Sequence, residues 1–350
     1  MLALLAIFGA FGAGLVADSL MRAPEESDDA DAEAEDDADA EAAEEEEASL
    51  DWILDDTAAT PAAAAGFVAD GMPVSDDIAD PEAASVELAG ERGDDILSGG
   101  AADDRLSGGG GDDQLTGRDG NDRLAGGSGR DHLEGGNGDD SLFGQGGNDV
   151  LIGSAGDDQL MGGRGADQLT GSEGDDHLIG GGGADSLMGG EGQDTLDGGM
   201  GRDWLAGGAG NDMMIGGASQ DSLDGGAGND TLWGGFTGHS DAAVDVLNGG
   251  AGDDVMGIGA GDLAMGGDGA DTFQLQDFGP GLPTSEIIDY SSNEDQIVVI
   301  YDAAVHAAPV LSAEPVDDSD DVTLMLDGIA VALIRNAAML DVSQVILRSA

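Results

Sequence analysis

From Gly90 to Trp233 one apolar residue returns at every ninth position. Leu holds that place in fifteen of sixteen consecutive copies, from Leu97 to Leu232, and Met214 in the other. Its immediate neighbours are variable and mostly polar. The full unit reads G-G-x-G-x-D-x-L-x, repeated without a gap. The x-L-x portion is long enough only for a three-residue strand, and G-G-x-G-x-D reads as a turn. Each unit therefore predicts one short strand and one tight turn, and two units, or eighteen residues, predict one coil. A fixed period of this length marks a stack of repeats. Coils stacking in parallel at ~4.8 Å give an all-β fold: a parallel β-roll, or β-solenoid, with the leucines of two sheets turned inward.

The other fixed positions complete the unit. The first is Gly in every copy, and the fourth is Gly except at Ala102 and Ser219. The second is the loosest, with Glu91, Arg118, Gln145, Ser154 and Ser172 in place of Gly. Glycine allows positive φ and close backbone approach; the substituted units are expected to be weaker, not absent. The sixth position is Asp in all sixteen copies. The ninth is often apolar (Phe143, Ile152, Met161, Ile179, Met188, Ile215, Trp233), which predicts either a partner face or side chains covered by neighbouring coils.

Beyond Trp233 the phase breaks. An insertion, roughly Phe236 to Ala243, precedes Asp245-Val246-Leu247, and units resume at Gly249. A degenerate turn is expected to carry Met265 at the leucine place, and a last unit runs from Gly266 to Gln274. From Leu275 onward Gly is sparse and β-branched runs appear: Gln296 to Tyr301, Val322 to Leu326, Ile329 to Ile334 and Val345 to Leu347. Asp327-Gly328 between two of them signals a hairpin. The pattern divides the chain into residues 1–22, a hydrophobic signal or anchor; 23–89, an acidic linker; 90–274, the roll, regular over 90–233 and irregular over 234–274; and 275–350, a β cap. The apolar stretch 2–17 is near the ~17-residue minimum for a membrane span and lacks a basic flank before it. It fits an uncleaved anchor, a cleaved signal peptide or a buried helix, in that order. The tract 25–56 holds no basic residue and is expected to be disordered, with Trp52-Ile53-Leu54 its one apolar cluster.

Charge turns the periodic pattern into a chemical one. The chain has 74 acidic and 10 basic residues, a formal net charge of -64 and no Cys. Such a charge excludes non-specific nucleic-acid binding and argues against docking on anionic lipid. Without Cys there are neither disulfides nor thiolate metal sites. Stacking at eighteen residues places Asp95 near Asp113 and Asp104 near Asp122, in two columns of like charge. A core of one apolar side chain per nine residues contributes far less than the ordering of glycine-rich backbone costs. A divalent cation between successive carboxylates answers both difficulties, and carboxylate plus backbone carbonyl is a hard-oxygen set suited to Ca²⁺. The candidate ligands are Asp95, Asp104, Asp113, Asp122, Asp131, Asp140, Asp149, Asp158, Asp167, Asp176, Asp185, Asp194, Asp203, Asp212, Asp221 and Asp230, followed by Asp254 and Asp271 in the irregular units. Eight turns on each side leave seven gaps, so the regular block predicts about fourteen Ca²⁺ ions.

Over Gly90 to Trp233, and more loosely to Gln274, the nonapeptide resembles the hemolysin-type calcium-binding (RTX) repeats. The resemblance implies a roll that is unfolded without Ca²⁺ and folded with it. It also implies export, often by type I secretion, to a place where calcium is abundant. The stretch GGDGADTF and then Ile287 to Val299 is similar to the segment closing the repeats in secreted metalloproteases of that family. The catalytic H-E-x-x-H of those enzymes is absent. A P-loop would need Lys, which the chain lacks, and G-x-S-x-G does not occur. His132, His177, His239 and His306 stand in no motif and are expected to be solvated or partly packed. The expectation is an exported, non-enzymatic calcium-binding protein with a structural, adhesive or cell-surface role. The alternatives are a secretion and folding module with a C-terminal type I export signal, and a surface-active hydrolase or epimerase. Calcium is the partner the charge selects; no motif points to a particular protein or polysaccharide.

Overall fold

The computed structural model describes residues 65–67, 84–235, 243–338 and 340–350. The apolar run 2–17, the acidic tract and Trp52-Ile53-Leu54 lie outside the described residues, as does most of the insertion. Among the described residues there is no helix. Twenty-eight strands of the described residues form two fourteen-stranded sheets, and strands from successive units alternate between them. No helix among these residues is long and apolar enough to cross a membrane.

The pairing is parallel, with a register of eighteen residues. Leu160 lies opposite Leu142 on one side and Leu178 on the other. In the second sheet Leu169 lies opposite Leu151 and Leu187. Backbone bonds join each coil to the next, as where the Gln168 amide donates to the Asp149 carbonyl at 2.9 Å. All sixteen leucine-position side chains are buried and form one continuous core with those of the irregular units.

The strands are longer than the three residues predicted. Gln159–Arg164 and its equivalents span six, the seventh to ninth positions of one unit and the first three of the next. Burial alternates along them, so the first-position glycine points inward two residues after Leu, as Gly162 does after Leu160. Only the fourth to sixth positions are left to the turn. The period-2 geometry of a strand continues through the glycines because their second neighbour also has an inward place to fill.

Past the regular block the register records the irregularities. Leu223 lies opposite Leu247 and Leu232 opposite Met256, each twenty-four residues on, so the insertion adds six residues to a coil. The expected leucine place at Met265 is corrected. Ala264 lies opposite Leu247 and is fully buried, while Met265 is half-buried and faces outward opposite Asn248. Met256 and Ala264 are eight residues apart and Ala264 and Phe273 nine, so the turn before Ala264 is one residue short of the nonapeptide, where the sequence pattern placed the short step before Phe273.

The C-terminal strands build on the roll. Gln296–Tyr301 adds in parallel to Thr272–Leu275, and Ile346–Ser349 adds to it in turn. On the other sheet, Ser285–Ile287 pairs in parallel with Ile329–Ile334. That strand continues antiparallel to Val322–Leu326 and then Leu311–Pro315. The expected hairpin turn is present, with Asp327 and Gly328 both at positive φ, 51° and 79°.

Candidate metal centre

The sixth-position aspartates form two buried columns, one along each flank of the roll. The Asp95 flank carries turns leading into the sheet of Ile96–Ser98, and the Asp104 flank those leading into the sheet of Arg105–Gly110. Within a column each carboxylate touches the preceding coil. The Asp95 amide donates to Asp113 Oδ1 at 2.8 Å, Asp104 to Asp122 at 2.7 Å, and Asp149 to Asp167 at 2.8 Å. The same bond runs through Asp131, Asp140, Asp158, Asp176, Asp185, Asp194, Asp203, Asp212, Asp221 and Asp230. Asp254 and Asp271 continue the second column.

Each carboxylate has a second oxygen with a different fate. From Asp113 to Asp212, at every ninth residue, and again at Asp230, Asp254 and Asp271, Oδ2 is buried and accepts no hydrogen bond. A buried acceptor without a partner carries its full desolvation cost. At the start of the columns this oxygen still finds a donor, with the Glu91 amide at 3.1 Å from Asp95 and the Gly100 amide at 2.6 Å from Asp104.

The first-position glycine lies against that oxygen. A methyl group on Gly144 would stand 2.5 Å from Asp149 Oδ2 and 2.7 Å from the Gly162 carbonyl oxygen. On Gly180 it would meet Asp185 Oδ2 at 2.6 Å and the Gly198 carbonyl at 2.7 Å. The fourth-position glycines bring backbone oxygen to the same turns: the Gly129 carbonyl faces Gly147, and the Gly147 carbonyl faces Gly165. Positive φ at the second and fourth positions makes this approach possible. Arg118, Gln145, Ser154 and Ser172 adopt it at the second position, with φ of 94°, 76°, 92° and 102°, and Ser219 at the fourth, with 84°. These five residues keep the glycine conformation at some strain, whereas Glu91 and Ala102, in the first coil, do not adopt it. Carboxylate and carbonyl oxygens are the atoms that lie against the first-position glycines. Among the described residues no group of three or more His, Asp or Glu side chains converges. A cation here would draw on two stacked aspartates and on backbone oxygen, a donor set that fits Ca²⁺.

Burial sets the electrostatics. With no cation present, burial pushes the carboxyls of Asp122, Asp158, Asp185 and Asp254 up to about 7, and the stacked aspartates of neighbouring coils push the same way. The backbone amide bonded to each opposes the rise. Asp113, Asp140, Asp149, Asp176, Asp194, Asp212 and Asp230 are raised to about 6 for the same leading reason.

Three features escaped the sequence reading. Asp245 and Asp262 extend the first column, the Asp221 amide donating to Asp245 at 2.9 Å and Asp245 to Asp262 at 3.0 Å. Asp295 extends the second, accepting from the Asp271 amide at 3.1 Å, and Asp289 accepts from the Gly266 and Gly267 amides at 2.9 and 3.0 Å. The broken nonapeptide phase hid all four. The third feature is an outer ladder at the fifth position, running in the opposite direction. The Asp112 amide donates to Asp94 Oδ1 at 2.9 Å, Asp157 to Asp139 at 3.1 Å, and Asp175 to Asp157 at 2.9 Å. Its signal was in plain view, since ten of the sixteen fifth positions are Asp or Asn.

The ninth-position apolar residues divide between the two expectations. Phe143 is buried with the Arg123 guanidinium 4.7 Å from its ring centre, and Trp233 covers Gly257. Met161 and Met188 are exposed. Of the histidines, His306 is paired: its Nδ1 lies 2.7 Å from Asp327 Oδ2.

A family model for the RTX calcium-binding nonapeptide repeat matches in successive segments from residue 87 to 236 and again over 239–262. No curated protein matches the chain. Among solved structures, the extracellular lipase LipA from Serratia marcescens is similar over 62% of this chain and 40% of its own. Identity there is 19% and the TM-score 0.19, too low to carry an argument, and this chain spans less than half of that protein.

Proposed function

The chain belongs to the family of RTX calcium-binding nonapeptide repeat proteins, and from that premise we propose an exported, non-enzymatic protein whose roll folds on binding Ca²⁺ and serves a structural or adhesive role at the cell surface. The observation that carries the reading is the repeated Asp Oδ2, buried on both flanks without a donor. A protein that folded without a cation would leave a row of buried, unsatisfied carboxylates, each costly. In this reading the ligands are the column aspartates from Asp95 to Asp230 with Asp254 and Asp271, together with carbonyls of the glycine turns. Asp245, Asp262 and Asp295 carry the columns further, so about fourteen ions is the count for the regular block alone. Bound calcium supplies the charge that lets the carboxylates stay ionised and stacked.

Dependence on calcium also suits a chain that stays unfolded where calcium is scarce and folds where it is plentiful, which is the basis for placing it outside the cell. Residues 2–17 would then anchor it or direct its export. Calorimetry with circular dichroism during Ca²⁺ titration tests the reading on the full chain. The expected result is many ions bound, with a cooperative gain of β-structure. One or two ions bound, or full β-structure in calcium-stripped protein, would overturn it.

A further inference from the structure

The two flanks have the same aspartate column but opposite surroundings. On the Asp95 flank, the turns from Gly126 to Asp221 hold no carboxylate outside the column. They hold Arg130, Arg164 and Arg202 instead, all exposed, and with Arg92 these recur once in every second coil. On the Asp104 flank, the turns from Gly135 to Asp194 hold no basic residue. Exposed Asp139, Asp157, Glu173, Asp175 and Glu191 stand there beside the column.

These outer charges lie one or three residues from the buried aspartates, inside the same tight turn, where Coulomb interaction is barely screened. Asp139, Asp157 and Asp175 each directly precede a column aspartate on their flank, and Arg130 and Arg202 hold the same place on the other. The number of charged groups around an oxygen site tunes its calcium affinity. Added carboxylates favour a divalent cation, and a neighbouring guanidinium disfavours it.

We propose that the roll carries two classes of calcium site arranged by flank. The Asp104 flank between Asp140 and Asp194 fills first and tightly. The Asp95 flank between Asp131 and Asp221 fills second and weakly, on coils that the first flank has already ordered. This ordering rests on the calcium-dependent reading given above.

Terbium, which replaces calcium at oxygen sites and emits when excited through a nearby indole, can read each flank separately. Trp204 directly follows Asp203 on the Asp95 flank. Gln159, exposed and directly after Asp158, is the equivalent place on the other. Full-length Trp52→Phe/Trp233→Phe keeps the Trp204 reporter. Adding Trp204→Phe and Gln159→Trp to that pair moves the reporter across. The Gln159→Trp signal should reach half-saturation at about tenfold lower terbium than the Trp204 signal. In the Trp204 reporter, Ala166→Asp with Arg202→Gln, both exposed, should shift the midpoint down several-fold. Unmodified protein titrated with calcium in the calorimeter should show two classes of site. Coincident midpoints that the charge variants leave in place, or a single-class isotherm, would overturn the ordering while leaving calcium binding intact. Terbium emission that calcium cannot displace would instead undermine the calcium reading itself.

Discussion

The roll is a parallel stack, and the C-terminal strands that extend it end in an antiparallel hairpin; the two hold themselves together differently. In the roll one apolar side chain in nine reaches the core, and a carboxylate is buried beside it. In residues 322–334, Val322, Leu324, Leu326, Val331, Ala332 and Ile334 are all buried, six side chains in thirteen residues. The charges there find partners: Arg335 reaches Glu286 at 2.9 Å and Asp321 at 3.0 Å, and Asp327 meets His306. Apolar density thus decides where a cation is needed. Where it is high, charge stays near the surface and pairs; where it is low, the fold buries carboxylate oxygens that no protein donor reaches.

The largest effect should come from removing calcium. A site filled at ten times its Kd contributes ~1.4 kcal/mol, and the roll repeats that site along both flanks. Hydrogen exchange read by mass spectrometry should show residues 114–232 losing protection in calcium-stripped protein, while 322–334 keeps much of its own. Simultaneous loss in both regions would break the comparison, because the cap would then depend on the roll as its template.

Next come two glycine substitutions whose costs differ in kind. In Gly162→Ala the new methyl would meet Asp167 Oδ2 at 2.5 Å and the Gly180 carbonyl at 2.8 Å, both held by neighbouring coils. A loss of about 3 kcal/mol is expected, together with weakened calcium binding in the adjoining turns. Gly328→Ala meets nothing within 4 Å and carries only the strain of φ 79°. It should cost about 1 kcal/mol and leave calcium binding unchanged. Thermal melts at fixed calcium check both. Equal costs would mean that crowding at the first position is relieved by movement of the turn.

The period itself made much of this legible. Leu at every ninth place fixed the coil at eighteen residues, the inward side chains and the pairing of Asp95 with Asp113. The same rule failed where the count slipped. Met265 fits the apolar pattern better than Ala264, and only the backbone register decides which of them points inward. Strand length is not legible in the pattern because glycine has low strand propensity, yet here it extends the strand by leaving room for Asp Oδ2. The outer ladder was overlooked because the fifth position is variable in the motif, and its Asp and Asn side chains act through backbone amides one coil away.

A smaller effect tests the column pairing. Asp149 and Asp167 are consecutive on one flank, joined at 2.8 Å. Asp149→Asn with Asp167→Asn removes the charge but keeps the shape, and the chain should bind about one ion fewer, with a stability loss of about 1–2 kcal/mol. An unchanged stoichiometry by calorimetry would mean that backbone oxygen alone suffices in that gap.

Acid should act on the two regions with opposite sign. In the metal-free roll burial raises column carboxyls, to about 6 at Asp149 and about 7 at Asp158. A group that binds its proton more tightly in the folded state destabilises that state as it ionises. The metal-free roll should therefore gain β-structure as the pH falls from about 7.5 to about 5. Protons then do part of what calcium does, so the calcium midpoint should move to higher concentration over the same interval. In the cap, the hydrogen bonds from Asn336 and Arg335 to Asp321, and from His306 to Asp327, hold those carboxyls below the usual range. Their contribution is present above about pH 4 and is lost below it. Circular dichroism of calcium-stripped protein across this range, with hydrogen exchange to separate the regions, gives the answer. If the roll gains nothing between about pH 7.5 and 5, burial of the carboxylates is not what keeps the metal-free chain unfolded, and the glycine-rich backbone alone must account for it.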